Sequence, residues 1–334
     1  MEPSFVNLAE SMTKIGIEFV QPPRVMRRFN RLLWLFTNII ALKPSIIYAH
    51  SVLPSLYVRL VTWWSNIPVV SVLHDASQDD YANRIYRWPE QYLLRVPAAV
   101  VTVAPEAAVN YMRRTKYQGM TLTIPNGVPM DEIRRHSVNR SKVRNSVFKL
   151  YDDFVPVVLQ VGRINPEKAQ LKTLLALESL ALRGKFSGRL VYVGLWEDDE
   201  YVAQLTNAIQ KSPLRDNIQL FAPRTDIYDL LAAADIYTMP SVSEAFSVAF
   251  IEALASGITV VGADIAAFQF ARSLPGVNLY TEAGEDSYAS TFDDVLAANP
   301  VRFERVLGKY DITNTVKSYS ELTEILVNWH VDAL

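Results

Sequence analysis

Residues 235–257, DIYTMPSVSEAFSVAFIEALASG, read as a strand, a loop and a helix in succession. The apolar run DIYTMP suits a buried strand, and Pro240-Ser241 breaks it. Ser247 is placed to cap the following helix, and Gly257 stands just past its end. The loop 241–246 therefore sits at a strand's carboxyl end, where open α/β sheets bind ligands. The amides of Ser247, Val248 and Ala249 open the helix without intrahelical acceptors, and a diphosphate suits such a terminus. Glu244 precedes the helix and Glu252 lies about 7 Å along it. One carboxylate can accept from sugar hydroxyls and the other from ribose; the plain alternative is a solvated helix face.

The same punctuation extends in both directions. Upstream strand candidates are Ile17–Gln21, Ser45–His50, Pro68–His74, Ala98–Ala104, Met120–Pro125, Val155–Gly162, Arg189–Gly194 and Asn217–Ala222, and downstream ones are Ile258–Ala263 and Val277–Tyr280. Continuous apolar runs such as PVVSVLH and VPVVLQVG suit strands buried on both faces of a parallel sheet. Helical periodicity lies between them, as in Ala169–Arg183 and Asp226–Ala234, so the class is doubly wound α/β. The loop GRINPEK follows VPVVLQVG and carries Arg163 and Lys168 into a strand-end crevice. Two cations there can neutralise a diphosphate and stabilise it as it leaves. The alternative is a pair of surface charges, with Lys168 paired to Glu167.

A charged segment, Val128 to Phe154, joins the two strand-rich blocks and is expected to be an exposed helix and linker. The start departs from the nucleotide-binding pattern of strand, glycine turn and helix. The chain opens on a helical stretch, Pro3–Lys14, so the first strand of the first sheet is expected to be missing.

Composition narrows the function. The 334 residues are 50% hydrophobic, enough for two cores, and a net charge of -2 argues against a nucleic-acid binder. With no cysteine, thiolate metal sites and disulfides are excluded, and His50, His74, His136 and His330 are too scattered for a metal cluster. The opening MEPSFVNLAE has no signal-peptide pattern, which suits a cytoplasmic protein. Leu32–Leu42 is too short to span a membrane. With Arg24, Arg27, Arg28 and Arg31 beside Phe29, Leu33, Trp34 and Phe36, this helix either lies on an anionic membrane surface or packs on a sheet with its arginines in water.

The segments GRINPEK and AAADIYTMPSVSEAFSVAFIEALASG closely resemble the donor-binding domain of family-four retaining glycosyltransferases of the GT-B fold. Arg163, Lys168, Glu244 and Glu252 fill that family's charged positions. Pro125-Asn126-Gly127-Val128, Ala234-Asp235 and His74-Asp75 match as well. The resemblance covers about residues 3 to 330 and is most specific from 155 to 265. It implies two Rossmann-like domains facing across a cleft: an N-terminal acceptor domain (1–140), a donor domain (141–310), and a C-terminal segment (311–334) packing back on the first. It implies that Arg163 and Lys168 bind the donor diphosphate, assisted by the turn Phe246-Ser247-Val248, that Glu244 contacts the transferred sugar, and that Glu252 holds the ribose. His74 would approach the sugar from the other domain, or be structural; Arg224 is a weaker candidate for the base.

The implied activity is transfer of a sugar from a nucleotide-diphosphate-sugar to a glycan or lipid-linked acceptor. It proceeds with retention and without metal or other cofactor, at or near the inner face of a membrane. Departures are Ala245 and Ser247, where the family often has glycine, and Asp264–Phe268 in place of a Gly-Gly turn. A nucleotide-sugar epimerase would need more acid–base groups than this chain carries. A degenerate homologue that binds nucleotide sugar without turnover, or serves as a partner subunit, is the alternative that the missing strand supports.

Overall fold

In the computed structural model, which describes residues 12–22, 28–74, 89–93, 97–136, 140–152, 154–281 and 287–332, the apolar runs become two parallel sheets. The first contains β1 (Ile47–His50), β2 (Val69–Leu73), β3 (Pro97–Thr102) and β4 (Thr121–Thr123), paired in sequence order. The second contains β5 (Val157–Val161), β6 (Arg189–Val193), β7 (Ile218–Phe221), β8 (Ile236–Met239), β9 (Thr259–Ala263) and β10 (Val277–Tyr280). Its order is β10-β9-β8-β5-β6-β7. Every residue of β2 and β9 is buried, as strands covered on both faces must be.

Helices cover both sheets. On the first, α1 (Arg28–Leu42) precedes β1, while α2 (Val52–Val61) and α3 (Pro105–Thr115) lie between strands. α4 (Met130–Arg135) and α5 (Arg140–Ser146) join the halves. The second sheet carries α6 (Gln170–Leu182), α7 (Asp199–Lys211), α8 (Ile227–Ala233), α9 (Val248–Ala255) and α10 (Ser287–Ala297). The final helix, α11 (Ile312–Asp332), returns to the first sheet and sets Leu322 and Leu326 against Val70, Val72 and Ala99.

The return is anchored at the join. Val128 N donates to Tyr310 O (2.9 Å) and Ile312 N donates to Val128 O (3.0 Å). A Cβ on Gly127 would lie 2.6 Å from Ile312 Cα, so this turn needs glycine for the close approach of α11.

Two expectations are corrected. Ile17–Gln21 forms no strand; Ile17, Phe19 and Val20 are solvent-exposed, and β1 is an edge of its sheet among the described residues. An alternating apolar pattern needs a partner ladder to become a strand. The charged join is also not uniformly exposed. Arg144 is 1% exposed and donates to Ala233 O, Val155 O and Asp235 Oδ2, while Arg140 reaches Asp235 Oδ1 at 2.6 Å. These guanidiniums satisfy the carbonyls at the end of α8, a position where cations are favoured. Of the expected opening helix, residues 3–11 lie outside the described residues, and 12–14 are helical.

Candidate functional site

Strand order in the second sheet runs outward from β5 to β7, then restarts at β8 on the other side of β5. Such a reversal is a topological switch point, and it opens a crevice at the carboxyl ends of β5 and β8. The loop after β5 supplies Arg163 and Lys168; the loop after β8 supplies Glu244 and the start of α9. The structure thus brings together residues 76 positions apart in sequence.

Lys168 is positioned by its own loop. Its backbone N–H donates to the Asn165 side chain (3.0 Å), and its carbonyl accepts from Gln160 Nε2 (2.7 Å). Its ammonium then donates to Glu244 Oε1 across the crevice. This partner is Glu244, not the adjacent Glu167. Arg163 makes a salt bridge of 2.6 Å to Glu197 and a longer one, 3.9 Å, to Glu167. Burial works to raise the Glu197 carboxyl, but hydrogen bonds from Arg163 and Asn165 outweigh it and hold the group below its usual range. Each cation therefore already faces a carboxylate, and an arriving diphosphate would compete for it.

Ser247 caps α9 as its sequence position requires, its Oγ accepting from Phe250 N at 3.3 Å. Gly257 adopts φ 80° past the helix end, where a Cβ would meet Phe303 O at 2.8 Å. Val248 is exposed in the first turn, whose amides lack intrahelical acceptors. Glu252, further along α9, accepts from Tyr228 Oη at 3.3 Å. Burial lifts the Glu252 carboxyl above its usual range, and the Tyr228 bond opposes that rise. The Tyr228 hydroxyl is itself pushed up to about 12, by burial first and then by the Glu252 charge.

Arg224 makes a bidentate pair with Asp226, at 2.8 and 2.6 Å, and its guanidinium lies over the Phe221 ring at 4.9 Å. It is held by Asp226, the residue just before α8. On the other half, His74 follows β2 and His50 ends β1. Their rings stack at 5.0 Å, with His50 Nδ1 2.7 Å from His74 Nε2, so one nitrogen donates and the other accepts. Burial lowers both imidazoles, and His74 lowers His50 further. The neighbouring Asp75 lies outside the described residues.

Between the halves is a cavity of about 600 Å³ lined by Ala104, Glu106, Thr123, Phe246, Phe270 and Tyr310, among others. The departure at Asp264–Phe268 bears on it. Phe268 is buried and stacks on Phe250 at 4.0 Å, while Phe270 turns towards Tyr310 at 4.9 Å. The Phe246 ring completes this wall, 5.9 Å from Tyr310.

Sequence reasoning missed Glu197, Tyr228 and the pairing of His50 with His74. Glu197 lies in the loop after β6, so its strand-end position was a usable signal. Tyr228 and His50 gave none, since each matters through a neighbour distant in sequence.

Two α/β units closing on a cavity, with cations and carboxylates opposed at a switch point, have the architecture of a two-domain ligand-binding protein. Comparison with known proteins is consistent with that class. Residues 147–269 match the model for glycosyl transferases group 1, and residues 7–132 match that for glycosyltransferase family 4. Among curated relatives, the UDP-Gal:alpha-D-GlcNAc-diphosphoundecaprenol alpha-1,3-galactosyltransferase of Escherichia coli is 22% identical over 231 residues, covering 67% of this chain and 58% of that one. The D-inositol 3-phosphate glycosyltransferase of Mycolicibacterium vanbaalenii is 31% identical over 163 residues, covering 45% of this chain and 35% of that one. The alignments thus span little more than half of these relatives at most. Among solved structures, a glycosyltransferase from Rickettsia africae matches with TM-score 0.75 and 16% identity, covering 96% of this chain and 88% of that one. Anabaena HepE in complex with UDP matches with TM-score 0.74 and 18% identity, covering 97% and 90%. The chain belongs to the family-four type of GT-B glycosyltransferases.

Proposed function

We propose that this chain is a retaining, metal-independent glycosyltransferase moving a sugar from a nucleotide-diphosphate donor to a glycan or lipid-linked acceptor at a membrane's inner face. The observation that carries the reading is the meeting of Arg163, Lys168, Glu244 and the α9 N-terminus at the β5–β8 switch point. Residues 141–310 take the donor, 1–140 take the acceptor, and 311–334 strap the two. The HepE complexes with UDP and with UDP-glucose support a nucleotide-sugar donor, and the diphosphoundecaprenol acceptor in the E. coli relative's name supports a lipid-linked one.

In this reading Arg163 and Lys168 receive the diphosphate, and Lys168 gives up part of its bond to Glu244. Glu244 is then free to accept from the transferred sugar, while Glu252 accepts from the ribose. The bond from the sugar's anomeric carbon to the diphosphate breaks, and the acceptor oxygen bonds to that carbon from the same face. The acceptor's proton passes to the departing phosphate oxygen, whose charge the two cations stabilise. His74 orients the sugar from the other half, with His50 fixing its tautomer, and Arg224 flanks the base. The cavity beside Phe246 admits the acceptor.

The test is UDP binding by calorimetry, with donor hydrolysis screened across UDP-, GDP- and ADP-sugars. Lys168→Ala removes a charge-assisted bond and is expected to weaken UDP binding about 10- to 100-fold. Unchanged affinity would falsify the diphosphate assignment. A second reading, nucleotide-sugar binding without turnover, draws on β1 being a sheet edge among the described residues. Transfer to any acceptor by the purified chain decides against it.

A further inference from the structure

From Phe19 to His74 the sequence holds no aspartate or glutamate, yet it carries Arg24, Arg27, Arg28, Arg31, Lys43 and Arg59. At the chain's average, a stretch this long would contain about six acidic residues, so its charge is strongly one-sided. Arg59 is buried against Glu90 and contributes nothing outside. Arg31 and Lys43 stand exposed at the two ends of α1.

Between those cations the surface is apolar. Leu33 and Ile40 face solvent from α1, with Leu42 at its end and Leu60 on the adjacent α2. Beyond α2, Trp63 and Trp64 are 47% and 69% exposed. Trp64 meets Phe36 edge-on at 6.0 Å, which ties the two helices' outer faces together. A groove of about 330 Å³ runs between them, walled by Phe36, Ile39, Val61, Trp64 and Ile67, with Lys43 at its rim. Two neighbouring tryptophans in a turn are costly in water but suited to a bilayer interface, where the ring sits among acyl chains and the indole N–H meets headgroups.

We propose that the outer face of α1, the end of α2 and the Trp63-Trp64 turn form a docking surface for an anionic lipid bilayer. The occupant follows from the charge: Arg31 and Lys43 flank the apolar face, and no acidic residue of this stretch opposes an anionic headgroup. A second copy of the chain fits less well, because a two-fold pairing would set like charge against like. The helix is about 22 Å long. The purpose of such docking rests on the lipid-linked acceptor proposed above; the surface itself does not.

Co-sedimentation of the full chain with vesicles of phosphatidylcholine, alone or mixed with phosphatidylglycerol, tests it. Wild type is expected to bind the phosphatidylglycerol vesicles more tightly. The double variant Trp63→Ser/Trp64→Ser should lose about tenfold or more of that affinity, and Arg31→Glu/Lys43→Glu should lose the preference for anionic lipid. Both should keep wild-type melting temperature and UDP affinity. Wild type that ignores anionic vesicles, or variants that bind them equally, would overturn the proposal. So would self-association or oligonucleotide binding that disappears with the same substitutions while vesicle binding persists. Intact vesicle binding with no sugar transfer would remove the proposed activity and leave this surface standing.

Discussion

The six-stranded half reverses its strand order between β5 and β8 and fills the crevice with charge; the four-stranded half adds strands in sequence order and presents two stacked histidines. Both are parallel sheets with their loops at the same ends, so the architecture alone does not separate them. What separates them is where a crevice forms and which side chains line it. In the charged half, Arg163 and Lys168 each face a carboxylate, from which the proposed diphosphate would have to draw them. In the other half, burial holds both imidazoles below their usual range, which suits hydrogen bonding to an uncharged sugar.

The largest effect should come from a charge of the six-stranded half that serves the fold alone. Arg144→Ala strips a buried guanidinium from Asp235 and three carbonyls, and is expected to cost about 3–5 kcal/mol in urea unfolding. A loss near zero would break the distinction between cations that hold the join and cations proposed to bind the donor.

Next in size, Glu252→Ala should weaken UDP about 10- to 100-fold while barely changing 2′,3′-dideoxy-UDP, measured by calorimetry. Equal losses for both would show that Glu252 does not hold the ribose. The same residue gives a pH test. Burial raises its folded carboxyl, so the folded state binds that proton more tightly than the unfolded state. The charged form therefore costs stability at neutral pH, and this cost fades as pH falls through the folded value towards the ordinary one. Glu252→Gln should melt above wild type at pH 7, with the gain gone below about pH 4.

The smallest effect should lie in the four-stranded half. His50→Asn is expected to leave UDP affinity within about twofold, since it touches no charge of the crevice, while lowering transfer rate. Both histidines are lowered when folded, so acidification below about 6.5 protonates the unfolded chain first and reduces stability. The His50→Asn variant should show a shallower loss of melting temperature between pH 7 and pH 5. A donor-affinity loss as large as that of Lys168→Ala would erase the contrast between the halves.

Ten of the eleven expected strands formed; those buried throughout, such as β2 and β9, announce themselves as continuous apolar runs, while the edge strands β4 and β7 are only partly buried. Ile17–Gln21 carried a similar signal without the outcome, since a ladder partner is not encoded locally. Charges were harder. The linker arginines look like surface residues in sequence, but Asp235 and the last carbonyls of α8 draw Arg144 into the interior. Lys168 had a near neighbour in Glu167, yet its loop aims the ammonium across the crevice at Glu244.

By itself the sequence determined the strand–helix alternation, the cap at Ser247, the glycine after α9, and a charged set whose spacing resembles one family. Those features are local, set by backbone propensity and by which faces must be buried. Tertiary structure decided the switch point between β5 and β8, the partners of Arg163 and Lys168, and the stacking of His50 on His74. Each of these depends on which strands become neighbours, and strand order arises from packing of the whole chain rather than from any stretch of it.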